Sequence, residues 1–263
     1  STFTSSLNVS GSGIMNVGTT AGTYGEIRIG NATASNGTFN VSGGTVTVAT
    51  GAIGNKIYFF KNGSSAGYTA SMTQAAGTVT TNGIQFGSLT GTYDATSAAN
   101  LTLSGGSLYV GDRGIIRGDG TAVESLPVTI KLQGGTLGAS ASWSSSIDMK
   151  LGTATIQAAN SAGTAQTITL SGILSDDGGT GTVTKTGAGT LTLSGTSDNT
   201  FTGATTVSAG DLDFVRELAV LIARSPSNQA AAWPVVETVQ TDGICTEVLA
   251  PAQLVQIVQE VLA

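Results

Sequence analysis

Ser42-Gly43-Gly44-Thr45-Val46-Thr47-Val48 sets a glycine pair in front of a strict apolar/polar alternation, and variants of the phrase return along the chain. Ala76-Gly77-Thr78-Val79-Thr80, Ser104-Gly105-Gly106-Ser107-Leu108-Tyr109-Val110, Gln133-Gly134-Gly135-Thr136-Leu137, Gly181-Thr182-Val183-Thr184 and Gly189-Thr190-Leu191-Thr192-Leu193 all read as a turn followed by a period of two. That period is a strand with one buried face: Val46 and Val48, or Leu191 and Leu193, point one way and the intervening threonines the other. Glycine supplies the positive φ that a chain turning every few residues needs. A sandwich, a barrel or a solenoid could be built from such strands. Recurrence at irregular intervals of roughly 20–35 residues favours the solenoid, in which insertions bulge from a corner without disturbing the stack. Rungs of roughly 22 residues stacked about 4.8 Å apart would give about nine turns and a rod near 45 Å, with Ser140–Ser146 as a corner loop.

Composition agrees. Of 263 residues, 38 are glycine, none is histidine and only 10% are charged, so threonine, serine and asparagine must cover the surface. A hydrophobic fraction of 40% and a mean hydropathy of +0.21 are enough to build a core. No run of about 18 apolar residues is present, so no membrane insertion by a helix is expected. A net charge of −6 and a pI near 4.4 leave no basic footprint for nucleic acid. The single Cys245 excludes an internal disulfide.

The segment from Gly181 to Leu212, GTVTKTGAGTLTLSGTSDNTFTGATTVSAGDL, closely resembles the autotransporter-associated β-strand repeat of bacterial passenger regions. Gly37–Val48 looks like a looser relative, so the resemblance extends over most of residues 1–212. It implies a right-handed parallel β-helix that is exported and displayed, at an extracellular or bacterial cell-surface location. An autotransporter's membrane barrel would need far more chain than the tail provides, so a detached passenger or another secreted protein is expected.

Character changes at Gly210. Residues 211–263 hold one glycine, Gly243, against 37 upstream, and three of the four prolines. Arg216 and Arg224 stand against seven acids there, a net of −5, which leaves −1 for the remainder. Phe214, Val215, Leu218, Leu221 and Ile222 follow helical spacing, and a second stripe after Pro251 holds Leu254, Ile257, Val258, Val261 and Leu262. Pro234–Gln240 and Ile244–Leu249 read equally as short helices or as a hairpin around Asp242-Gly243. The expected fold is therefore mainly β, a β-solenoid over 1–210 with a small C-terminal α-helical segment in 211–263.

Chemistry is sparse. Without histidine there is no histidine-based triad, general base or metal site, and one cysteine makes no zinc site. No cofactor and no metal is expected, and the chain is read as not an enzyme. β-Helices do host glycan-cleaving enzymes, but the close acid pairs are only Asp176 with Asp177, which reads as a turn, and Asp112 with Asp119. Arg117-Gly118-Asp119 is the tripeptide of integrin-binding loops and is a minor adhesion candidate beside its reading as an ordinary charged corner. Trp143 could offer a stacking surface to a sugar or fold onto its own rod, and Tyr58-Phe59-Phe60 cannot all face inward in a regular strand.

Two functions compete: a monomeric adhesive passenger, and a subunit that assembles with itself into a filament or layer through its ends. The apolar stripes of the tail serve as a cap in the first and as a docking surface in the second. Self-association is the preferred partner, with a host or matrix surface as the second candidate.

Overall fold

The computed structural model describes residues 3–18, 25–30, 35–48, 56–88, 91–119, 121–214, 217–219, 222–224, 230–232, 236–241 and 244–249. The chain divides into two compact units, Ser1–Asp213 and Phe214–Ala263. The first is a parallel β-solenoid of about six turns. Its main ladder runs through the strands Phe3–Val9, Ser35–Val48, Thr69–Thr81, Ala98–Val110, Val128–Ala139, Thr153–Gln157, Thr182–Thr186 and Thr205–Val207. A second ladder stacks Ile27–Ile29, Ile57–Phe59, Ile84–Phe86 and Ile115–Arg117. A third takes over later with Trp143–Ser145, Ile168–Leu170, Thr190–Leu193 and Asp211–Phe214.

The repeated glycine phrase lies inside the long strands, where the chain bends from one flat segment to the next. Gly44, Gly77, Gly106 and Gly135 all have φ between 71° and 75° and lie at one corner, rung upon rung. A Cβ on Gly77 would meet Gly44 O at 2.5 Å, and one on Gly135 would meet Gly105 C at 2.7 Å. Two demands therefore converge on this column: a left-handed backbone and a neighbouring main chain too close for any side chain.

Register makes the core a set of columns. Phe39, Met72, Leu101, Ile130, Met149 and Leu174 stand opposite one another on successive rungs, all but fully buried. Val46, Val79, Leu108, Leu137 and Ile156 form a second column. In the second ladder Ile27, Ile57, Ile84 and Ile115 stack on one another. Each such side chain contributes about 1.5–3 kcal/mol on burial. Facing outward, Thr45, Thr78, Ser107, Thr136, Thr155 and Thr184 form the column that replaces the missing charge.

Turn length departs from the expected 22 residues. Phe3 pairs with Ser35, Gly37 with Ala70, Ala70 with Ala99 and Ala99 with Val128, separations of 32, 33, 29 and 29. Later, Ile130 pairs with Met149 and Met149 with Leu174, separations of 19 and 25. Long early turns replace the expected nine rungs by about six, a rise of about 30 Å.

One aromatic expectation is corrected. Tyr58, Phe59 and Phe60 are all buried, but on two sides: Phe59 and Phe60 join the core, Phe60 leaving the strand in a left-handed conformation, φ 51°, while Tyr58 faces out beneath Lys56 and Lys61. Gly30 and Gly87, at φ 62° and 74°, occupy the same position on the flanking rungs. Phe60 N donates to Ile29 O and Gly87 N to Phe59 O, so the ladder imposes this conformation on a residue that would not choose it. Trp143 does not sit in a corner loop. It opens the strand Trp143–Ser145, is 4% exposed and donates from Nε1 to Gly138 O at 3.2 Å.

The expected α-helix over 211–224 is not formed. Asp211–Phe214 continues the third ladder, Asp211 N donating to Gly189 O, while Glu217–Ala219 and Ile222–Arg224 are strands. In the second unit, Glu217–Ala219 pairs antiparallel with Val236–Thr241, which pairs antiparallel with Ile244–Leu249. Ile222–Arg224 pairs with Ala230–Ala232. Of the two readings open for 234–249, the hairpin is formed. Apolar spacing in short runs does not separate helix from strand, and ladder hydrogen bonds decided the outcome. The stripe Leu254, Ile257, Val258, Val261 and Leu262 lies outside the described residues.

Candidate functional site

Arg117 ends the column Ile29, Phe59, Phe86 in the second ladder. Its Nη1 donates to Leu126 O at 2.7 Å and Val123 O at 3.2 Å, tying it to the 3-10 turn Thr121–Ser125. Gly118 N donates to Phe86 O, and Asp119 is exposed. The arginine end of the tripeptide is thus engaged within the rod, and only the aspartate end faces solvent.

Asp176 and Asp177 fasten a corner. The ladder offset is 25 residues at Leu151–Asp176 and 29 at Thr153–Thr182, so four residues are inserted here. Asp176 accepts from Gly181 N at 2.7 Å and from Thr202 N and Oγ1 at 3.0 and 2.8 Å, and these bonds, Gly181 first, hold its carboxyl below the usual range. Asp177 takes Lys131 Nζ at 2.8 Å and Gln133 Nε2 at 2.7 Å, the lysine being the main cause of its lowered pKa. Among the described residues no three of His, Cys, Asp or Glu group as a metal cage.

On the outer side of the second ladder, burial would push Glu26 up, but Lys61 at 2.5 Å and Arg28 at 2.7 Å outweigh it and the carboxyl is lowered. Lys61 Nζ lies 4.5 Å and Lys56 Nζ 5.9 Å from the centre of the Tyr58 ring. Because Glu26, Asp176 and Asp177 are all lowered in the folded chain, the unfolded chain binds more protons in that window. Their stabilisation is complete above the unfolded values, 4.5 for Glu and 3.8 for Asp, and is lost as pH falls through the folded ones. Thermal unfolding followed at pH 7, 5, 4 and 3 should show a falling Tm only below about pH 4.5, with Asp177→Asn removing part of the fall. An unchanged Tm at pH 3 would contradict this.

The ends of the main ladder differ. At the first, Phe3–Val9 has one ladder partner among the described residues, and Leu7 and Ile14 are 36% and 74% exposed, with Met15 and Val17 only partly covered. At the other, Thr205–Val207 pairs, among the described residues, only with Thr182–Thr186, and a lysine replaces the apolar column: Lys185 stands opposite Ile156 and Val207 and is 0% exposed. Its Nζ donates to Gly187 O and Ala209 O, each at 2.6 Å, and to Gly189 O. Burial lowers its pKa, with Asp211 opposing. Sequence reasoning missed this residue, although a lysine at an inward position of an alternating strand is a visible signal. Of the tail candidates, Phe214, Leu218 and Ile222 lie in strands rather than on a helical stripe, and Val215 and Leu221 lie outside the described residues.

The rung closed by Lys185 lies in a stretch that a family model matches. Residues 183–213 match the passenger-associated-transport-repeat family. The solenoid carries an autotransporter passenger-type repeat. Such a repeat is the mark of a secreted or surface protein, and no helix among the described residues is long and apolar enough to cross a membrane. No solved structure matches the chain. Curated relatives include the N5-carboxyaminoimidazole ribonucleotide synthases of Mycobacterium leprae, 73% identical over 37 residues, 14% of this chain and 8% of that protein. Those of Mycobacterium tuberculosis are 63% identical over 41 residues, 16% and 10%, and that of Corynebacterium ammoniagenes 57% over 37, 14% and 9%. The chain thus spans a tenth or less of these relatives. The reading of the chain as no enzyme is corrected to this extent: a stretch of it is similar to a part of an enzyme, and the likeness is local.

Proposed function

We propose that the chain is a structural element of the bacterial surface, a passenger-type solenoid that extends and displays, and whose copies join through their ends. The observation that carries the reading is the first rung. A strand with one edge unpaired among the described residues, beside the exposed Leu7 and Ile14 and the partly covered Met15 and Val17, is a template for another strand. A head-to-tail contact whose rotation does not close on itself gives a filament. The stretch similar to the synthases is assigned to Phe214–Ala263, the unit that departs from the solenoid's composition with one glycine, Gly243. That segment, with Phe214, Leu218 and Ile222, is the second joining element.

Sedimentation and negative-stain imaging of the whole chain beside the double variant Leu7→Lys/Ile14→Lys test it. Concentration-dependent filaments from the parent and monomers from the variant are expected. Monomers from both would leave display by a single rod and remove end-to-end joining.

A further inference from the structure

A groove of about 420 Å3 crosses successive rungs on one corner of the solenoid. Thr81, Val110 and Ala139 are ladder partners, so Asn82, Gly111 and Ser140 follow them at one position of three rungs. Gly138 pairs with Gln157, which carries the line on to Asn160 and Ser161 in the next turn. The groove therefore runs along the solenoid axis and spans about 14 Å at one rung per 4.8 Å. Its lining is made of hydroxyls and amides, Thr80, Asn82, Ser140, Asn160 and Ser161, with the single carboxylate Asp112, while Gly111 and Ala141 keep the floor low.

The far wall is built. Asn160 Oδ1 accepts from Ala162 N and Thr164 N at 3.0 and 2.9 Å, and Gln157 Nε2 donates to Asn160 O at 3.1 Å, so the loop is fixed in its raised position. Beneath the groove, Ser140 Oγ is buried and has no hydrogen-bond partner among the described residues. Arg113 Nε is likewise buried without a hydrogen bond and lies 3.8 Å from Asp112 Oδ1.

The chemistry narrows the ligand. One carboxylate does not hold a divalent cation, which takes six or more oxygens. One arginine beside that carboxylate makes no anion site. Neutral donors and acceptors on three of the four rungs, with Asp112 on the remaining one, fit a neutral polymer of hydroxyl groups whose own repeat is close to one rung. We propose that this groove binds an extended neutral oligosaccharide laid along the solenoid axis, about one sugar unit per rung. Shallow walls and water-competing hydroxyls set the affinity in the range of about 0.1–1 mM.

Calorimetric titration of the whole chain with cellohexaose, chitohexaose and mannohexaose tests it, beside Ser161→Trp, which fills the mouth from an exposed position, and Asp112→Ala. Thr73→Trp, on an exposed position of the main ladder away from the groove, is the control. Expected is binding of at least one of the three sugars, weakened about 10-fold or more by S161W and about 3-fold by D112A, untouched by T73W and insensitive to about 0.5 M NaCl. No binding of any of them at about 10 mM, or binding that S161W leaves intact while circular dichroism shows it folded, overturns the proposal. Binding confined to oligogalacturonate or calcium overturns it as well, since either would make the groove a charge site.

Discussion

Gly106→Ala is expected to destabilise the solenoid by about 3–5 kcal/mol, against about 1–2 kcal/mol for Gly178→Ala. Both glycines are left-handed, φ 71° and 78°, so the cost of forcing an alanine into that region is shared. They differ in what a methyl group meets. At Gly178 there is nothing within 4 Å, whereas at Gly106 the new carbon would run into Gly77 O and lie 2.6 Å from Ala76 C. Those are main-chain atoms of the rung below, themselves fixed by the ladder, and they cannot yield as a flexible side chain would. The rungs would have to separate at the corner that stacks four of the repeated phrases. Urea unfolding of the two variants separates the effects, and equal losses would show that backbone conformation alone, not stacking, selects these glycines.

Lys185→Met is expected to cost about 2–5 kcal/mol and to act on one end of the molecule. Methionine matches the lysine in length and would continue the column of Leu137 and Ile156, so volume is not the issue. What is lost is the donor to the carbonyls of Gly187, Gly189 and Ala209 at a turn built around it, for a Cβ on Gly210 would sit against the ammonium and 2.5 Å from Gly187 O. Gly189 O keeps Asp211 N as a donor, so Gly187 O and Ala209 O are the carbonyls deprived, and each buried carbonyl left without a donor costs about 1–3 kcal/mol. Since rungs contact only their neighbours, hydrogen exchange should rise in residues 182–213 and stay slow in the rungs from Ser35–Val48 to Val128–Ala139. Uniformly faster exchange would mean that the solenoid unfolds as one cooperative block. A variant as stable as the parent would mean that water serves the two deprived carbonyls.

Much of this fold is legible in the alternation that follows each glycine corner. Val46, Val79, Leu108 and Leu137 are inward by period, and the phrase marks their rungs in order. Turn size was not legible, because the second ladder is carried by three-residue strands such as Ile27–Ile29 and Ile84–Phe86, too short to show a period. The assumed turn of roughly 22 residues therefore overestimated the rungs. Burial of the consecutive Phe59 and Phe60 in one core escaped the alternation rule because the rule assumes a strand, and Phe60 is where the strand ends. In the tail, the spacing of Phe214, Leu218 and Ile222 satisfies a helix and also three short strands, and pairing partners far along the chain made the choice. The groove could not be read at all, since Asn82, Ser140 and Asn160 share no local pattern and meet only through register.

Main-ladder partners lie between 19 and 34 residues apart in sequence among the described residues of the solenoid, as Ile130 with Met149 and Ser42 with Ala76 show. The entropy of closing each turn therefore changes little from one rung to the next, since it grows only as the logarithm of loop length. A new turn needs no distant part of the chain, only the exposed edge of the turn already formed. Folding can accordingly advance in step with delivery of the polypeptide through a narrow opening, each completed turn drawing the next one into place.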